Sequence, residues 1–262
     1  MENFIKKIFN LLPLKAFNLN YPLIIERMEI DFIFSRFIKK KKLRILDVGA
    51  HYGEFLDIFS NLKFGTIKQS YEIFCFEPFV SNYKKIQKKT FNLNANIKAN
   101  IYNFAISNKT EEKLFYVGNS DTLISCENRW IKSFKSEFLN YRKILLQCFS
   151  FKDFIKKYRY DTSKEIDLLK IDVEGHDLVV FNNIFQNKLI VNSVMIEFDV
   201  KNFSVTKNII KSLKLKKFLR IFIFGRTGIY TSYIGEYINN NKLLKIIKAN
   251  NIKSGNLVAF KN

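Results

Sequence analysis

The chain has 262 residues, 47% of them apolar and 16% aromatic, which fits one large folded domain with a sizeable core and excludes a disordered chain. Its net charge of +20 points to phosphates, nucleic acid or an anionic membrane as partners, although lysine rises together with Asn, Ile, Phe and Tyr, as an AT-rich genome dictates. Cys75, Cys126 and Cys148 form no C-x-x-C pair, His51 and His176 are too few and too far apart for a zinc motif, and no apolar run reaches the roughly 18 residues of a membrane span.

The first stretch, MENFIKKIFNLLPLKAFNLN, is basic and apolar. Pro13 and Lys15 interrupt it and no small-residue cleavage site follows, so it reads as a short amphipathic helix on the domain or on a membrane surface, not as a signal peptide. Residues 1–42 are taken as a helical, basic lead-in and residues 43–262 as the main domain. Strand-length apolar runs then alternate with helical spacing. The run 43–50 is a strand, 53–62 a helix, 71–78 a strand, 80–90 a basic-faced helix and 101–107 a strand. Residues 112–118 and 144–150 are further strands around a polar middle. Residues 151–160 are a helix, 166–175 a strand ending in acids, 176–185 a helix and 191–199 a strand ending in acids. The runs 218–225 and 256–260 close the chain. This alternation predicts an α/β domain with a mostly parallel central sheet and helices on both faces.

In such a sheet, ligands bind beyond the carboxyl ends of the strands. Asp47, Glu77, Asp172 with Glu174, and Glu197 with Asp199 all fall at that end. One acid there is readily a helix cap; acids at the ends of four strands on one edge ask for another reason. The turn in ILDVGAHYGEF (45–55) lacks the G-x-G-x-x-G of dinucleotide sites. Gly49 and Gly53 permit close backbone approach, and an acid at the first strand's end suits a cationic or hydrogen-donating ligand better than a phosphate. Glu77 is placed to accept hydrogen bonds from both hydroxyls of a ribose. A nucleoside with a positively charged amino-acid tail fits this set: S-adenosylmethionine.

The ordered segments ILDVGAHYGEF, FCFEPFVSNYKKI, NFAISN, LLKIDVEGHDLVVF and MIEFD resemble the motifs of FkbM-type methyltransferases over roughly residues 43–200. The resemblance implies a Rossmann-like class I methyltransferase fold, S-adenosylmethionine as cofactor, and O-methylation of a hydroxyl on a sugar, glycan or polyketide-type natural product. By position it implies cofactor binding at Asp47, Gly49, Ala50, Gly53, Glu77 and Pro78, with Ala105 and Ser107 near the adenine. Asp172, Glu174 and Gly175 match the acids and the glycine of its K-I-D-V-E-G motif, which leaves Asp172, Glu174 and His176 as the catalytic candidates. Methyl transfer to an aliphatic hydroxyl needs a base or an acidifying metal, and hard carboxylates would suit Mg²⁺. Lys170 alternates into the strand of Asp172 and reads as an ion-pair partner of a buried acid. Residues 117–143 fit no sheet strand well and read as an acceptor-binding insertion, with Trp130 to stack on a sugar ring. A cytoplasmic protein, peripheral at most to a membrane, follows from the same reading. A nucleic-acid methyltransferase and a non-catalytic nucleotide-binding protein are the rivals, and no specific nucleic-acid partner is expected.

Overall fold

The computed structural model describes residues 29–61, 69–119, 124–133, 140–227 and 230–261. The expected N-terminal helix and the Trp130 side chain lie outside the described residues.

The chain runs β1 (Lys42–Val48), α1 (Glu54–Asn61), β2 (Ser70–Phe76), α2 (Val80–Thr90), β3 (Ile97–Tyr102), β4 (Ala105–Ser107), β5 (Glu111–Val117), β6 (Ile124–Ser125) and α3 (Asn128–Ser133). It continues through β7 (Arg142–Ser150), α4 (Phe151–Tyr158), β8 (Ile166–Ile171), α5 (Asp177–Phe185), β9 (Val191–Asp199) and α6 (Phe203–Leu215). β10 (Phe218–Thr227), β11 (Tyr230–Glu236), α7 (Asn240–Ala249) and β12 (Ser254–Lys261) complete it. The main sheet has eight strands in the order β11-β10-β12-β9-β8-β1-β2-β3. The stretch from β9 to β3 is parallel, and β12, β10 and β11 join by antiparallel pairs. Strand β8 stops at Ile171, so the acids expected at its tip stand on a turn.

Alternation along each strand divides the core. In β1, Leu43 and Ile45 join a cluster with Phe55 and Phe59 of α1 and with Ile30, Ile33 and Phe34 of the helical residues 29–34. Leu46 and Val48 face the other way, toward Phe154, Phe181, Ile209 and Leu243 from α4, α5, α6 and α7. Both faces are therefore covered, and this is why the central strands read as unbroken apolar runs. Each large apolar side chain so buried contributes about 1.5–3 kcal/mol of transfer free energy. A second sheet, in the order β4-β7-β5-β6, packs around Phe115, Leu146 and Cys148. The sequence shows β5 and β7 as strands but not their separation into a sheet of their own.

Candidate active site

The parallel run β9-β8-β1-β2 brings four strand ends to one edge, and with them Asp47, Glu77, Asp172 and Glu197. Beyond β1 the chain turns at Gly49, whose φ is +82°, and a Cβ there would lie 1.8 Å from the Asp172 carbonyl oxygen. Only glycine lets the turn approach the end of β8 this closely. The Gly49 and Ala50 amides donate to Phe76 O at 3.0 and 3.1 Å, which ties the turn to the end of β2. His51 takes a left-handed backbone, and its amide donates to Glu77 Oε2 at 2.9 Å. The Phe79 amide donates to Glu77 Oε1 at 2.9 Å. Glu77 thus holds one backbone hydrogen bond on each oxygen and keeps further lone pairs for a ligand. Burial pushes its carboxyl up to about 7, against the pull of those hydrogen bonds.

Asp47 is fully buried beneath this turn. It stands in register with Lys170 of β8, whose Nζ lies 3.2 Å from Asp47 Oδ1, donates to Gly49 O at 3.0 Å and lies 3.8 Å from Asp172 Oδ2. Burial raises the Asp47 carboxyl to about 6, opposed chiefly by Lys170. The lysine therefore pins the turn to β8, in keeping with the ion-pair role its alternation suggests. His51 is tied locally, with Nδ1 2.7 Å from Glu54 Oε1 in the first turn of α1.

The turn after β8 carries the other candidates. Glu174 and Gly175 have φ of 53° and 93°. Asp177 accepts from the amides of Val173 at 3.2 Å and Gly175 at 3.0 Å, so it shapes the turn. Burial, with Glu197, Asp172 and Asp177 nearby, raises the Glu174 carboxyl well above its ordinary range, and Arg226 opposes the rise. Arg226 Nη1 reaches Glu197 Oε1 at 3.3 Å from the end of β10. His176 is buried, with Nε2 3.0 Å from Ser107 Oγ and Nδ1 2.5 Å from Glu127 Oε1. Burial alone would lower its pKa, but Cys126 and Glu127 outweigh burial and raise it to about 9.

A cavity of about 430 Å³, within the usual range for small-molecule sites, opens among these groups. Gly49, Ala50, Glu77, Pro78, Ala105 and Ser107 lie on its wall, and so do Asp172, Glu174 and His176. Asp47 and Gly53 do not: Asp47 is beneath the turn, and Gly53 faces Ile86 of α2. Arg226, Asn82 and Cys126 also line the cavity, with Glu127 directly behind His176. The sequence reading does not pick these four out. Arg226 sits just past the apolar run of β10, and Glu127 lies in a segment without periodicity. Among the described residues, the group able to offer three converging metal donors is Cys126, Glu127 and His176; it does not include Asp172 or Glu174.

The sequence pattern of the methyltransferase FkbM domain matches residues 47–218, well over half of the chain. The chain belongs to the FkbM methyltransferase family. Its architecture is α/β and Rossmann-like, a mostly parallel central sheet with helices on both faces. Among solved structures it is similar to the FkbM methyltransferase of Methylobacillus flagellatus KT, with 14% identity and a TM-score of 0.46 over 84% of this chain and 44% of that one. The chain thus spans less than half the length of that protein. It is also similar to the N-terminal domain of human METTL16 in complex with SAH, with 13% identity and a TM-score of 0.44 over 98% of this chain and 78% of that one. A third is a putative rRNA-methylase from Clostridium thermocellum, with 10% identity and a TM-score of 0.43 over 88% of this chain and 94% of that one. No curated protein matches the chain. Among the described residues, no helix is long and apolar enough to cross a membrane.

Proposed function

We propose that the chain transfers the methyl group of S-adenosylmethionine to a hydroxyl oxygen of a sugar, glycan or natural-product acceptor. The observation that carries this reading is one cavity whose wall holds Gly49, Ala50 and Glu77 on one side and Asp172, Glu174 and His176 on another. Glu77 accepts hydrogen bonds from the ribose hydroxyls, and Ala105 and Ser107 flank the adenine. Transfer is an in-line displacement in which the O–C bond forms as the C–S bond breaks, so alignment supplies much of the rate. The acceptor's proton must leave as the bond forms. Burial among acids raises the Glu174 carboxyl well above the ordinary range, and both ring nitrogens of His176 are already engaged by Ser107 and Glu127. Asp172 is the base by this reasoning. It lines the cavity, and its side chain is 24% exposed.

Calorimetry with S-adenosylmethionine, followed by methyl transfer to nucleotide sugars and cell-surface glycans, tests the reading. Asp172→Asn keeps the shape and removes the charge. Turnover should fall about 10²–10⁴-fold with cofactor affinity nearly unchanged. Full turnover in Asp172→Asn would remove Asp172 from the role, and methylation of RNA or DNA by the pure protein would replace the acceptor class.

A further inference from the structure

We infer that Cys126, Glu127 and His176 form a binding site for a divalent metal of the zinc class at the wall of the cavity. Their donor atoms lie within 4.8 Å of one another. A thiol, a carboxylate and an imidazole make a zinc donor set, whereas Mg²⁺ prefers oxygen ligands alone. Cys126 and Glu127 come from the segment joining β6 to α3, and His176 comes from the turn between β8 and α5. The folded chain brings them together across 49 residues, so no short sequence motif announces them. The scarcity and spacing of the histidines is no bar to such a site, because one histidine suffices when the other ligands are a cysteine and a glutamate.

The group behind the ring supports the assignment. Metal-bound histidines commonly use the second ring nitrogen to hold an outer partner, and His176 Nε2 lies 3.0 Å from the buried Ser107 Oγ. A metal would displace the Nδ1 proton now shared with Glu127, and with Nε2–H donating to Ser107, Nδ1 would give its lone pair to the ion. An ion bonded at about 2.0–2.3 Å in tetrahedral geometry asks for donors about 3.3–3.8 Å apart. The His176–Glu127 contact of 2.5 Å would open by about one ångström to reach that spacing.

Three protein ligands leave the fourth position of a tetrahedral ion open. Cys126 and His176 line the cavity, and Cys126 and Glu127 line a second hollow beside it, so the open position can be reached from the cavity as well as from that hollow. An acceptor hydroxyl there would be acidified by the ion, and this role rests on the methyl-transfer reading. The metal site itself does not.

The test uses the full chain, stripped with a chelator, and zinc alone as the probe. Calorimetry should give one Zn²⁺ per chain. Cys126→Ser and Glu127→Gln should each weaken binding about tenfold or more, and Asp172→Asn should leave it unchanged. Co²⁺ in the same site should show a thiolate charge-transfer band that Cys126→Ser removes. Both altered side chains are partly exposed, so the variants should fold, and their metal-free melting temperatures check this. Absence of saturable zinc binding, or binding undiminished in Cys126→Ser, overturns the site and leaves a plain His176–Glu127 ion pair. Loss in Asp172→Asn alone also overturns it and moves the metal to the acids. Failure of the methyl-transfer reading would show separately, as absence of S-adenosylmethionine binding with the zinc result intact.

Discussion

Glu77 both holds the turn after β1, through the His51 and Phe79 amides, and offers its remaining lone pairs to the cavity. Glu77→Gln should weaken S-adenosylmethionine binding by about 1.5–3 kcal/mol for each charge-assisted hydrogen bond lost, as read by calorimetry. Unchanged affinity would put the ribose elsewhere. The same carboxyl sets a pH dependence. Its folded pKa of about 7 lies above the ordinary 4.5, as that of Asp47, about 6, lies above 3.8. The folded state therefore binds protons that the unfolded chain has released. Their contribution to stability is fully present below the unfolded pKa values and is lost as pH rises through about 6–7. In the ligand-free protein, stability relative to Glu77→Gln should fall across that window when melting is followed from acid to neutral pH. A difference constant with pH would refute the shift. Gly49→Ala should cost more than either carboxylate change. The residue would need φ near +82° and a Cβ 1.8 Å from Asp172 O, so a large drop in melting temperature and loss of cofactor binding are expected.

The cavity draws on the small sheet as well as the large one. β4 delivers Ser107, and β6 leads into Cys126 and Glu127, while the ends of β1, β2 and β8 supply the rest. The small sheet is fastened to α4 at Ser150, which accepts from the Asp153 amide at 3.1 Å as N-cap and donates to Asp153 Oδ2 at 2.7 Å. Ser150→Ala should lower unfolding free energy by about 0.5–2 kcal/mol in denaturant titration. On the far side, β10 supplies Arg226 beside Glu197 and Glu174. Arg226→Ala leaves those carboxyls without that cation, and a loss of about 1–3 kcal/mol or more is expected in the same assay. Much of this was legible in sequence where residue pattern and position coincide. β1, β2, β8 and β9 announce themselves as apolar runs ending in acids, and Lys170 points by strand alternation to its acid. The helices α6 and α7, the strand β11 and the residues Glu127 and Arg226 were not legible, because what places them is long-range pairing. Nothing in the neighbours of Glu127 foretells a histidine 49 residues away.

The whole chain carries +20, yet the mouth of the sheet gathers buried Asp47, Glu77 and Asp177 and half-buried Glu174 and Glu197. A field of that sign draws polyanions to the surface without selecting among them. DNA and RNA should bind weakly, without preference for sequence or structure, and release as salt is raised. Discrimination that survives salt would give the charge a specific partner.

The interior position of β12 shapes how the protein is made. β9, α6 and β10 follow one another in the chain, but the finished sheet keeps β9 and β10 one strand apart, a gap of about 10 Å. β12 fills that gap, pairing Ser254 with Asp199 across 55 residues of chain. At synthesis rates of about 5–20 residues per second, a nascent chain waits on the order of 3–11 s with the apolar edge of β9 uncovered. During that interval β10 can close directly on β9 through α6, as an ordinary parallel unit, and β12 must then prise the two apart. Correct closure of the sheet therefore waits on β12, a strand made after both of its neighbours.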